Sequence, residues 1–79
     1  MPMDFPDAKS LIMAAEVHKF RQPKEDETIH QFRLTLADHV SKIDFIESEE
    51  IRNGKGWDKF SEVENLSMIA RQIRRRQNP

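Results

Sequence analysis

With 79 residues the chain has room for one domain and one modest core. It contains no cysteine, which excludes disulfides and thiolate metal sites and fits a reducing compartment. The 13 basic and 14 acidic residues leave a net charge of −1, but four arginines and no acids fall in 71–79, so an acidic body carries a basic tail.

Apolar residues make up 37% of the chain and charged residues 34%. This is polar for a globular domain, yet the apolar positions are patterned, which argues against disorder. No run approaches the roughly 20 apolar residues of a membrane span. The opening MPMDFPDAK places acids and prolines where a signal peptide needs a basic start and an apolar centre. The expectation is a cytoplasmic protein with no membrane association. One domain covers 1–79, with frayed ends at 1–5 and 77–79.

The first helix is predicted to start near Pro6 or Asp7, since proline suits the first helical position. It runs to about Arg21 and stops before Pro23. Ala8, Leu11, Ile12 and Ala15 share one face, and Met13, Val17 and Phe20 form a second apolar stripe nearly opposite. Two apolar sides predict a central helix packed between others.

Thr28 and Gln31 form a capping box, preceded by acids at 25–27 that favour the positive end of a helix dipole. Ile29, Phe32, Leu36, Val40 and Ile43 then follow at helical spacing as a core stripe, with Leu34 off it. A third helix is expected over Asp44–Arg52, either separate from the second or continuous with it through a bend. Asn53 and Gly54 provide a left-handed stop. Residues 54–60 read as a loop or a single turn carrying Trp57 and Phe60, which close one end of the core.

The last helix opens with Ser61 and Glu64 as a second capping box and lines its core face with Val63, Leu66, Ile69, Ala70 and Ile73. Its final turns carry Arg71, Arg74, Arg75 and Arg76, where cations favour the negative end of the dipole. No segment alternates like a strand. The fold class is therefore all-α, a small compact bundle of three to five short helices. Its expected core is Leu11, Ile12, Ala15, Ile29, Phe32, Leu36, Val40, Trp57, Phe60, Leu66, Ile69 and Ile73.

The chemistry-bearing residues are sparse. His18, His30 and His39 lack the i, i+4 spacing by which one helical face holds a metal, so no metal site and no cofactor are expected. Glu47 and Glu50 share a face and, with Asp44 and Glu49, read either as a solvated surface or as an acidic patch for a basic partner; Asp58, Glu62 and Glu64 extend it. Thr28 and Ser61 are explained as caps, and two glycines cannot build a phosphate-binding or dinucleotide loop. Catalysis is not expected.

The arginine cluster reads as a solubilising helix end, a phosphate-contacting strip for nucleic acid, or a protein contact. An acidic body and a pI near 6.3 weigh against nucleic acid. A helix-turn-helix hinged at Asn53-Gly54 is disfavoured, because acids follow where a recognition helix would meet bases. Leu34 and Met68 lie off the core stripes and are candidates for a binding or dimer face.

The reading is a non-enzymatic binding or regulatory module whose partner is another protein. Its contact residues are drawn from Leu34, Glu47, Glu50, Met68, Arg71 and Arg74–Arg76. Nucleic-acid binding through the arginines and self-assembly, including a homodimer, are the alternatives. In size and style the chain resembles bacterial and phage accessory proteins.

Overall fold

A computed structural model of the chain describes residues 7–54, 56–59 and 65–77. Four α-helices follow in order: α1 (Ala8–Val17), α2 (Ile29–Val40), α3 (Phe45–Asn53) and α4 (Leu66–Gln77). A single 3-10 turn, Trp57–Lys59, stands between α3 and α4. No strand occurs among the described residues; there is only an isolated bridge between Thr28 and Asn65. The radius of gyration is 11.9 Å, near the ~12 Å of a folded chain of this length. The all-α architecture read from the sequence is the one observed.

Helix α1 is capped by Asp7, whose side chain accepts the Ser10 N–H at 2.8 Å. Pro6 lies outside the described residues. The helix ends at Val17, four residues short of the expected Arg21. Lys19 takes a positive φ of 55°, and two bonds close the turn: Lys19 N–H to Glu16 O at 3.1 Å and Phe20 N–H to Ala15 O at 2.8 Å. This paired pattern is the Schellman stop, here with lysine at the position where glycine is usual. The turn swings Phe20 off the helix and onto the core, beside Phe32.

The expected central position of α1 is therefore corrected. Ala8, Leu11, Ile12, Ala14 and Ala15 are buried, but Met13 and Val17 are 51% and 74% exposed. The helix has one apolar face turned inward; of the second stripe Met13 and Val17 face solvent, while Phe20 reaches the core from the turn beyond the helix.

Helix α2 is the centre of the core. The capping box forms as expected: Gln31 N–H donates to Thr28 Oγ1 at 3.2 Å, and Thr28 N–H donates to Gln31 Oε1 at 3.1 Å. Ile29, Phe32, Leu36, Ala37 and Val40 are fully buried, each large one contributing about 1.5–3 kcal/mol by leaving water. Ile43 does not continue the stripe, because α2 stops at Val40. Ile43 N–H and Asp44 N–H both donate to Val40 O, at 2.8 and 2.7 Å, and the resulting turn separates α2 from α3.

Helix α3 is capped by Asp44, which accepts the Glu47 N–H at 3.1 Å. It buries Ser48 and Ile51 against α2. The expected left-handed stop is absent: Gly54 is extended, with φ −59° and ψ 145°. The helix end is instead held from α2, where the Arg33 guanidinium donates to Arg52 O and lies 5.5 Å from the Trp57 ring. Trp57 is buried.

Helix α4 packs on α1, with Leu66 and Ala70 buried and Ile69 and Ile73 against the same core. Its start is capped by Asn65, whose Oδ1 accepts the Ser67 and Met68 N–H groups at 3.0 and 3.3 Å. Phe60, Val63 and the expected Ser61–Glu64 capping box lie outside the described residues.

Candidate protein-contact face

Between α1 and α2 the chain runs back along α2 from its C-terminal end to its N-terminal end. Phe20 packs against His39 at 4.9 Å and against Phe32 at 5.8 Å. Arg21 lies over both Phe20 and Phe32 and grips Glu27 with two hydrogen bonds of 2.8 Å. Glu27 also accepts the Lys24 N–H at 3.1 Å, and its own carbonyl accepts the Leu66 N–H at 3.1 Å. The hydrogen bond from Arg21 holds the Glu27 carboxyl below its ordinary value and raises the guanidinium in return. At this end of the molecule Arg21 and Glu27 satisfy one another, while Gln22 Oε1 is buried without a hydrogen-bond partner.

The opposite pole is built differently. It gathers the end of α1, the turn after α2 and the first turn of α3. His18 Nε2 lies 2.8 Å from Glu47 Oε2, which ties the first helix to the third. His39 Nε2 lies 3.4 Å from His18 O and adds the end of α2. Both members of the His18–Glu47 pair are nearly covered, with side chains 12% and 13% exposed.

Around this polar clasp stand large apolar side chains that nothing covers. Val17 is 74% exposed, Ile43 62%, Phe45 63% and Ile46 74%. Each position has a physical cause. Val17 closes α1 on its outer side, and the 41–44 turn throws Ile43 out of the α2 stripe. Phe45 stands at the first position of α3, and Ile46 lies on α3 away from Ser48 and Ile51, which face the core. Three of the four fall within residues 43–46, and exposed apolar side chains grouped in this way mark interaction surfaces more often than scattered single ones do.

The residues singled out from the sequence are dispersed. Glu47 turns inward to His18, Asp44 caps α3, and Glu49 pairs with Arg52 at 3.4 Å. Glu50 is half-buried on α3. Leu34 and Met68 are 47% and 56% exposed, on α2 and α4. Arg71, Arg74, Arg75 and Arg76 are exposed, and none forms an ion pair with a described residue. The apolar pole itself escaped the sequence reading. The usable signal was Ile43-Asp44-Phe45-Ile46, three large apolar residues in four positions, of which a helix start cannot bury all.

No family model, curated protein or solved structure matches the chain.

Among the described residues no three histidines, cysteines or carboxylates gather as metal ligands. Ser48 Oγ donates to Phe45 O at 2.6 Å within its own helix and is fully buried. An open groove of about 340 Å³ is lined by Lys24, Glu25, Asp26, Glu27 and Gln31, at the other end of α2. Its Glu27 is already engaged by Arg21.

Proposed function

We propose that this chain is a non-enzymatic binding module that docks another protein, in the cytoplasm, through the pole formed by Val17, Ile43, Phe45 and Ile46. The observation that carries the reading is the exposure of these four side chains, each above 60%. Burying a side chain of this class under a partner is worth about 1.5–3 kcal/mol. A few such anchors supply most of the affinity of a typical interface. No helix among the described residues is long and apolar enough to cross a membrane.

The test is capture from a host extract by the wild-type chain and by Phe45→Ser/Ile46→Asp, compared by quantitative mass spectrometry. A protein retained by the first and lost by the second is expected, with the melting temperatures of the two baits equal. Identical retention by both baits refutes the reading.

A second reading rests on the four exposed, unpaired arginines of α4, which suit phosphate contact. It predicts DNA or RNA binding that weakens steeply with salt. Fluorescence anisotropy with labelled duplex and single strands at two salt concentrations decides it. Binding that survives alanine at Arg71 and Arg74–Arg76 removes it.

A further inference from the structure

Helices α3 and α4 carry outward faces that complement each other. On α3 the core takes Ser48 and Ile51, so the opposite side presents Ile46, Glu49, Glu50 and Asn53. On α4 the core takes Leu66 and Ala70, with Ile69 and Ile73 against it, so the opposite side presents Met68, Arg71, Gln72 and Arg75. Each face has one exposed apolar residue at its N-terminal end, 74% exposed for Ile46 and 56% for Met68. Each carries charge one turn further on, acidic on α3 and basic on α4.

The first charge on each face also stands at the same spacing from its apolar residue. Glu49 and Glu50 stand three and four residues after Ile46, and Arg71 and Arg75 stand three and seven after Met68. Laid side by side in parallel, Ile46 meets Met68, Glu49 falls level with Arg71, Glu50 lies one residue further, and Arg75 stands about one turn beyond. The two faces, 46–53 and 68–75, each cover eight residues, about 10 Å of helix. Within one chain Arg71 and Arg75 repel each other at i, i+4, which costs a few tenths of a kcal/mol, and no described acid relieves them.

We infer that the occupant of the α3 face is a second copy of this chain, presenting α4, in a twofold pair in which α3 of each protomer meets α4 of the other. This rests on the reading of the α3 pole as a contact face and names what covers it. In a twofold pair both contacts form at once, because each copy supplies both halves, whereas a head-to-tail use of the same faces would propagate past the dimer. A stable interface needs about 800 Å² from each partner, roughly a seventh of the 5417 Å² surface. Two contacts per pair reduce the demand on each helix face to about 400 Å².

The experiment is sedimentation velocity across a wide concentration range, at low and high salt, on the full chain. The expected result is a concentration-dependent shift from the 9.4 kDa monomer to twice that mass, weaker at high salt. Ile46→Asp, Glu49→Arg/Glu50→Arg and Arg71→Glu/Arg75→Glu are each expected to raise the dissociation constant about tenfold or more. Mixing the two charge-reversed variants is expected to restore the pair, because both contacts of the mixed dimer are again opposite in sign. This rescue also shows that the variants are folded.

A strict monomer at every concentration overturns the inference. So does a dimer indifferent to these substitutions, a failed rescue between charge-reversed variants that melt like wild type, or a mass that climbs past the dimer without closing. A strict monomer that still loses a captured host protein on Ile46→Asp assigns the face to that foreign protein; self-pairing then fails while the binding-module reading stands.

Discussion

The Arg21–Glu27 pair offers the sharpest test of how the α1–α2 connection is held. Glu27 is 11% exposed in its side chain and Arg21 34%. Two charge-assisted hydrogen bonds of 2.8 Å join them. Hydrogen bonds to charged groups are worth about 1.5–3 kcal/mol each, but the exposed guanidinium is screened by water, which lowers the pair to about 1–2 kcal/mol. Glu27→Gln and Arg21→Met are each expected to cost about that much at neutral pH, and the double variant about 1 kcal/mol less than the sum. In a chain of this length 1 kcal/mol moves the melting temperature by about 4–8 °C. Urea unfolding followed by Trp57 emission is the assay, since the single tryptophan is buried. The pH dependence has a definite sign. The folded Glu27 carboxyl titrates below the ordinary 4.5 because Arg21 donates to it. Its contribution is complete above 4.5 and is lost as pH falls through the lower folded value. Wild type and Glu27→Gln are therefore expected to converge in acid. A coupling below about 0.3 kcal/mol, or a Glu27→Gln penalty that stays constant with pH, refutes the reasoning.

Three further substitutions probe other parts of the fold. Lys19→Gly, at φ 55°, is expected to stabilise by about 0.5–1 kcal/mol, because the left-handed conformation costs a side-chain-bearing residue about 1–2 kcal/mol; thermal melts read it directly. Gln22→Met removes an Oε1 that is buried without a hydrogen-bond partner and is expected to raise stability by about 1 kcal/mol, measured by urea midpoint at unchanged slope. Arg33→Met breaks the guanidinium contacts to Arg52 O and the Trp57 ring. Burial already lowers the Arg33 pKa, so part of the loss is returned on removing the charge. A net cost of about 1 kcal/mol is expected, with a shift in Trp57 emission.

The sequence was most legible where local chemistry decides the outcome. The Thr28–Gln31 box and the Ile29–Val40 stripe need only neighbours within the helix, and both form. It was least legible where the deciding partner is remote. The stop of α1 at Val17 uses a left-handed lysine, for which the sequence carries no glycine signal, and is completed by Phe20 packing on Phe32 and His39. The α4 start depends on Asn65, which donates to Glu25 O and sits beside the Leu66 bond to Glu27 O, some 40 residues earlier in the chain. Helical periodicity placed Ile43 in the core because it counts residues as though α2 continued. Two hydrogen bonds to Val40 O end the helix first. The candidate face was missed for the same reason: it is what the turn exposes, and the turn is set by bonding rather than by pattern.

The two ends of α2 differ in a way that stability does not explain. At its start, Arg21 and Glu27 grip one another, Glu27 also accepts the Lys24 backbone N–H, and Asn65 caps α4. At its end, the His18–Glu47 clasp and the Asp44 cap already hold the three helices together. Nothing in that clasp needs Phe45 or Ile46. Helix α3 needs its cap and the burial of Ser48 and Ile51, and isoleucine and phenylalanine are poorer helix formers than alanine, glutamate or lysine at solvent-facing positions. A helix shaped only to fold would place polar residues there. Sequences depart from the locally favourable choice mainly where something other than folding is served. At this pole the departure is a run of apolar side chains in water, which the proposed occupant would cover.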